Sequence, residues 1–111
     1  MEKIVVPEIT EEMLDGVARR IVEHCNPYKI VLFGSRAWGR PGRHSDLDIL
    51  VIMDSEERPA QRAARLSLLA RPKFVPMDIL VRTPREIEQR LAMGDFFIRR
   101  ILEKGRVLYE R

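Results

Sequence analysis

The chain has 111 residues, of which 45% are hydrophobic and 33% charged, and its formal net charge at pH 7 is +3. This length predicts one domain over residues 1–111, with a core that needs no disulfide or metal to hold it. No apolar run approaches the roughly 18 residues of a membrane span, and the N-terminus is too short and too acidic for a signal peptide. We therefore expect a cytoplasmic protein without a membrane partner.

The residues available for metal binding are mostly carboxylates. Cys25 is the only cysteine, and His24 and His44 are the only histidines, which excludes an internal disulfide and the usual zinc ligand sets. A bound metal would therefore be a hard cation such as Mg²⁺ or Mn²⁺. The basic residues are scattered rather than clustered, so direct nucleic-acid binding is disfavoured.

The first third of the chain predicts a helix, a strand and a short helix. Thr10 is a suitable N-cap for a helix with apolar residues at helical spacing, and Asn26-Pro27 ends it. Residues 29–33 form a short apolar run without alternation, typical of a strand covered on both faces. Residues 35–39 then begin a short helix, and residues 40–45 form a loop.

The middle of the chain predicts two more strands around a helix. Residues 46–53 read as the second strand and residues 59–70 as an arginine-rich helix that ends before Pro72. Residues 77–81 form the third strand, with Pro76 at its entry, where a missing backbone donor does least harm.

The last third predicts two helices and a short terminal strand. Thr83-Pro84-Arg85-Glu86 forms a capping box with proline at the first helical position, which indicates a helix to about residue 93. Asp95 caps a final helix that ends at Gly105, and residues 107–109 add a strand. The inward positions of the final helix are expected at Phe97, Ile98, Ile101 and Leu102.

Three aspartates carry most of the functional signal. Because side chains alternate along a strand, Asp46 and Asp48 should share one face, about 6 to 7 Å apart, and Asp78 lies in another apolar run. Two carboxylates about 4 Å apart repel by about 4 kcal/mol at an effective dielectric near 20, and a buried unpaired Asp78 would be costly as well. Divalent cations reverse this repulsion, and the spacing suits a pair of ions about 3.5 to 4 Å apart.

A glycine-serine pair precedes these aspartates. Gly34 ends the first strand where the chain enters a helix, so its backbone amides can approach a phosphate closely. The Ser35 hydroxyl can donate to the same oxygens, and Arg36 is near enough in sequence to assist. The sequence therefore predicts a metal site beside a phosphate site.

The combined motif resembles the polymerase-β-like nucleotidyltransferase superfamily. Phe33-Gly34-Ser35 is followed by Asp46-Leu47-Asp48-Ile49 and, later, by Asp78. The motif Gly-Ser-Arg-Ala-x-Gly, together with Ser-Asp-x-Asp, is similar to the motifs of the minimal nucleotidyltransferases (MNT), the antitoxin half of HEPN/MNT toxin-antitoxin pairs. This resemblance covers roughly residues 14–109.

The resemblance implies an α/β (α+β) fold with a small mixed sheet, and transfer of a nucleoside monophosphate from a triphosphate, such as AMP from ATP, to a hydroxyl. By the same resemblance, Gly34, Ser35 and Arg36 hold the nucleotide phosphates, with Arg36 the weaker match. The resemblance also implies that Asp46 and Asp48 bind two Mg²⁺ ions, and that Asp78 contacts one of these ions and helps to deprotonate the acceptor.

The family also implies a partner. At this length we expect no additional helical domain to grip an acceptor. In the MNT family the acceptor is a tyrosine of a HEPN ribonuclease toxin, so the resemblance implies a hetero-oligomer. Two alternatives stay open: an antitoxin that neutralises its partner by binding alone, and a transferase acting on a small molecule or an RNA end.

Several residues have more than one reading. Arg40, Arg43 and His44 either contact the triphosphate or a partner, or belong to a solvated loop. Trp38 either packs under that loop or stacks on a base. Phe96 is a surplus apolar residue that either joins the core or faces a partner.

Overall fold

The protein folds as a four-stranded mixed sheet with helices on both faces, in a computed structural model that describes residues 8–38 and 46–111, with Trp38 described by its backbone alone. The strand order is β3-β2-β1-β4. This confirms the predicted α/β fold with a small mixed sheet. In chain order the elements are α1 (Glu11–Cys25), β1 (Lys29–Phe33), α2 (Ser35–Trp38), β2 (Leu47–Ile52), α3 (Pro59–Ala70), β3 (Met77–Arg82), α4 (Pro84–Ala92), α5 (Phe96–Lys104) and β4 (Arg106–Glu110).

The predicted caps set the helix ends. The Thr10 hydroxyl accepts a hydrogen bond from the Met13 amide at 3.2 Å, and α1 ends where Asn26 adopts the left-handed conformation, with φ of 46°. The Asp95 carboxylate accepts from the Ile98 amide at 3.0 Å. Each cap gives a partner to a terminal backbone group that the helix itself leaves unpaired.

The sheet separates two cores. Helices α1 and α3 cover one face, with Val17, Ile21 and Leu66 packed among strand residues of that face. Helices α4 and α5 cover the other face, where Ile87 and Ile101 pack against β1 and β2. The two inner strands are therefore buried on both sides, which explains their continuous apolar sequences.

A buried arginine ties α3 to the end of β3 and the start of α4. The Arg62 side chain is only 6% exposed; its Nε donates to the Glu57 carbonyl at 2.7 Å and its Nη1 to Glu86 Oε1 at 2.6 Å. Glu86 also accepts from the Thr83 amide at 2.8 Å, which completes the predicted capping box. This network links α3 to the first turn of α4.

Two expectations about burial are wrong. Asp78 is exposed, because β3 is an edge strand that pairs with β2 and Asp78 lies near its start. Phe97 is 52% exposed instead of belonging to the core, because it lies in the first turn of α5, where the helix reaches the end of the sheet. Ile98 and Ile101 are buried as expected.

Candidate active site

The predicted site residues lie at one end of the sheet. Strand β1 runs antiparallel to β2, and β2 runs parallel to β3. The end of β1 therefore lies beside the starts of β2 and β3. In this arrangement Phe33 pairs with Asp48, and Asp48 pairs with Asp78. Gly34 is one residue beyond Phe33, and Asp46 is one residue before β2.

The pairing of β2 with β3 aligns two nearly identical sequences. Residues 47–51 read Leu-Asp-Ile-Leu-Val and residues 77–81 read Met-Asp-Ile-Leu-Val, and the register places each residue opposite its counterpart. Apolar side chains gain from such pairing, whereas like charges directly opposite each other destabilise a sheet. Asp48 and Asp78 are thus held at a position where their charges repel.

The electrostatic effect of this arrangement is a change in the pKa of Asp48. Its pKa is raised, first by partial burial and then by the charges of Asp78 and Asp46. Burial favours the neutral acid, and both neighbouring carboxylates oppose a further negative charge. The charges of both Asp46 and Asp78 therefore act on the Asp48 carboxylate.

The glycine at the end of β1 lies against Asp48. Gly34 has a φ of +79°, and a Cβ added to it would collide with the Asp48 carboxylate. Glycine is therefore required for two reasons, its backbone conformation and its close approach. Behind it, Ser35 and Arg36 begin α2 and are half-buried, and the Ala37 amide donates to the Gly34 carbonyl at 3.0 Å.

A shallow groove of about 310 Å³ opens beside the two paired aspartates; it is lined by Phe33, Asp48, Asp78, Ile79, Leu80 and Phe97. The rings of Phe33 and Phe97 meet edge to face, with centroids 5.6 Å apart and planes at 85°. The groove thus joins a carboxylate end to an aromatic wall. Sequence reasoning missed both phenylalanines as site residues, because an apolar residue in a strand or a helix gives no local sign of lining a groove.

The donor set fits a hard cation. It consists of carboxylate oxygens, and burial, followed by the charges of Asp78 and Asp46, raises the pKa of Asp48. Mg²⁺ prefers oxygen ligands and usually keeps several waters. Within residues 8–38 and 46–111, no three His, Cys, Asp or Glu side chains are already gathered closely enough to hold an ion. Asp46 is exposed and directly follows residues 39–45, which the structure does not describe. The metal roles of Asp46, Asp48 and Asp78 stay predictions.

Other predicted contacts fall outside the described part of the chain. These are Arg40, Arg43 and His44 in the loop, and the side chain of Trp38. Phe96 is 80% exposed, so it does not join the core, and the interpretation that it faces a partner is the one that agrees with the structure. None of the helices in the described ranges has both the length and the apolar character needed to cross a membrane.

The fold and the site together define a class of α/β proteins in which a glycine turn and several carboxylates meet at one end of a mixed sheet. Residues 14–108 match the nucleotidyltransferase domain family. The chain therefore belongs to this family, within the polymerase-β-like superfamily. Membership implies nucleotidyl transfer with a nucleoside triphosphate as substrate. No curated protein matches the chain.

Proposed function

We propose that this protein is a Mg²⁺-dependent protein adenylyltransferase that transfers AMP from ATP to a tyrosine hydroxyl of a HEPN-type ribonuclease toxin, and so acts as a cytoplasmic antitoxin. The observation that carries the proposal is the in-register pair of Asp48 and Asp78, with Gly34 packed against Asp48. Like charges placed opposite each other destabilise the sheet. A bound cation would make that arrangement favourable.

The donor nucleotide would bind where β1 ends. Gly34 leaves room for backbone amides to approach the β- and γ-phosphates, with the Ser35 hydroxyl and the Arg36 guanidinium as further donors. Asp46 and Asp48 would hold two Mg²⁺ ions, with Mn²⁺ as a possible substitute, and Asp78 would contact one of them. Bound metal would neutralise the charge that develops on the phosphates during transfer.

The acceptor would approach from the edge of the sheet. Its hydroxyl oxygen would form a bond to the α-phosphorus of ATP while the bond to pyrophosphate breaks, and its proton would pass to the Asp78 carboxylate. The exposure of Asp78 supports this role, since a base on an inner strand would be harder for a protein-borne hydroxyl to reach.

The test is transfer of label from α-³²P-ATP to the HEPN-type protein encoded next to this chain. We expect label on the partner with Mg²⁺, no label with EDTA, and a loss of at least about a hundredfold in Asp48→Asn or Asp78→Asn. Asp15→Asn is the matched control, because Asp15 is an exposed carboxylate on α1 outside the site. A wild-type protein that binds ATP and Mg²⁺ but never labels its partner would refute protein adenylylation.

Toxin inhibition and label transfer, measured side by side, separate the alternatives. An antitoxin that acts by binding alone would inhibit the toxin without ATP, and the Asp48→Asn variant would inhibit equally well. A transferase for small molecules or RNA ends would incorporate label into those acceptors with no protein partner present. Equal inhibition by wild type and variant would therefore replace the enzymatic proposal with the binding one.

A further inference from the structure

The turn between α4 and α5 exposes a cluster of apolar side chains. Met93 is 76% exposed, Phe96 80%, Phe97 52% and Leu91 38%, and all four lie within residues 91–97. We call this cluster the α4–α5 patch. Single exposed apolar residues are ordinary, but several in one short segment indicate a surface that another molecule covers.

The α4–α5 patch adjoins the candidate active site. Phe97 lines the groove that contains Asp48 and Asp78, while its neighbour Phe96 lines a second, open groove of about 550 Å³. The first turn of α5 is therefore a ridge between the two grooves. A molecule that covers this ridge would lie beside the carboxylates.

The second groove is mainly basic, lined by Phe96, Arg99, Arg100, Glu103 and Lys104. Its charged lining thus consists of three cations and one carboxylate. Two of these residues, Arg99 and Glu103, form an ion pair that is exposed at both ends and contributes little to stability. A partner with carboxylates at this position would be attracted to the groove. A second copy of this chain would bring a like-charged groove, which argues against self-association through this face.

The composition favours a protein over a nucleic acid. Phe, Met and Arg are enriched at the centres of protein interfaces, whereas lysine and acidic residues are depleted there. RNA binding relies on aromatic faces that stack on bases, and Met93 and Leu91 have no such face. The patch therefore suits apolar anchors on a partner with an acidic rim.

We propose that the α4–α5 patch, together with the basic groove beside it, is the docking surface for the acceptor protein, which presents apolar side chains bordered by carboxylates. This inference rests on the proposed function for the identity of the acceptor. The patch holds the partner while the acceptor hydroxyl enters the groove of Asp48 and Asp78. Phe96 and Met93 anchor the complex and take no part in the chemistry.

The experiment compares surface variants in two separate measurements. Met93→Ser/Phe96→Ser removes the apolar anchors, and Arg99→Glu/Arg100→Glu reverses the charge of the groove. Leu68→Ser is the matched apolar control, since Leu68 is 90% exposed on α3, on the opposite face of the sheet, and Arg71→Glu is the exposed basic control. Kd for the HEPN-type protein is measured by titration calorimetry, and label transfer gives KM and kcat.

Both patch variants should raise Kd and KM for the partner at least about tenfold, as expected when interface anchors are removed. Neither should change the affinity for ATP or the circular dichroism spectrum, and both controls should behave as wild type. A charge-reversal variant that weakens binding less as salt is raised would agree with electrostatic attraction. Loss confined to labelling of an RNA oligonucleotide, or a change confined to self-association in sedimentation, would overturn the inference.

The two proposals can fail separately. A wild-type protein that binds the HEPN-type protein without labelling it refutes the proposed chemistry, and the Kd values of the variants still decide whether the patch is the docking surface. Normal binding and labelling by both patch variants overturns the docking surface and leaves the chemistry standing. The docking surface is also overturned if the wild-type protein has no measurable affinity for the HEPN-type protein.

Discussion

Replacing Asp48 with asparagine should stabilise the metal-free protein while it abolishes nucleotidyl transfer. Asparagine keeps the shape of the side chain and removes the charge that faces Asp78 across the parallel register. Strand spacing is about 4.8 Å. Two charges about 5 Å apart repel by about 0.8 kcal/mol in water and by about 3 kcal/mol at an effective dielectric of 20.

The lower figure applies, because Asp78 is exposed and water screens the pair. We therefore expect the free energy of unfolding to rise by about 1 kcal/mol and Tm by about 4 °C for a domain of this size. Thermal unfolding followed by circular dichroism, in EDTA at pH 7, measures the change. Asp15→Asn is the control and should leave Tm within about 1 °C of wild type, since exposed charges away from special sites contribute little.

Mg²⁺ should reverse the order of stability. A cation that binds the folded protein stabilises it by mass action, so Mg²⁺ should raise the Tm of wild type and leave that of Asp48→Asn nearly unchanged. Metal-free Asp48→Asn that unfolds more easily than wild type would refute the argument from repulsion. In that event the Asp48 carboxylate would be a stabilising acceptor of hydrogen bonds.

The pH dependence has a definite sign. The pKa of Asp48 is raised in the folded protein, so the native state binds this proton more readily than the unfolded chain. The stability of wild type therefore falls as the pH rises from the unfolded pKa through the raised one, and it stays low above it. The gain in stability of Asp48→Asn over wild type should be complete at neutral pH and should shrink as the pH falls through that window.

Three further predictions concern the turn and the α3–α4 network. Gly34→Ala should abolish label transfer and lower Tm, because its φ is positive and its Cβ would collide with Asp48. Arg62→Met should lower the free energy of unfolding by about 1 to 3 kcal/mol in urea denaturation, because it leaves Glu86 without its buried donor. Burial raises the pKa of Glu86, but the Thr83 backbone amide and Arg62 together lower it below its usual value. The contribution of Glu86 to stability is therefore present above the pKa of the unfolded chain and is lost as the pH falls through the lower pKa of the folded protein. Glu86→Gln should therefore make the urea midpoint less sensitive to acid in that window.

Local chemistry explains why much of the fold could be predicted from the sequence. Thr10, Thr83 and Asp95 each provide a side-chain oxygen for a helix N-terminus, and all three do so in the structure. The run from Lys29 to Phe33 lacks alternation because β1 is covered on both faces. These signals depend on neighbours in the chain, which a sequence displays directly.

Strand order is not encoded in such signals. Residues 47–51 and 77–81 are nearly the same sequence, yet β2 is an inner strand and β3 an edge strand. The apolar run around Asp78 therefore predicts a buried residue, in which an unpaired charge would be costly, whereas Asp78 is exposed on the edge strand. For the same reason the groove beside Phe97 could not be predicted, since it forms where α5 meets strands distant in the sequence.

The difference between Asp48 and Asp78 suggests why the proposed reaction would use both. The two residues lie directly opposite each other in the strand register and have nearly the same neighbours in the sequence. Only their surroundings in the fold distinguish them. Asp48 is held between two strands beside Gly34, where a fixed carboxylate can orient a cation and the phosphates it binds. Asp78 lies on the open edge next to the α4–α5 patch, where a hydroxyl carried by another protein can reach it. An edge strand is therefore a functional requirement of the proposed reaction, because covering β3 would close the path of the acceptor.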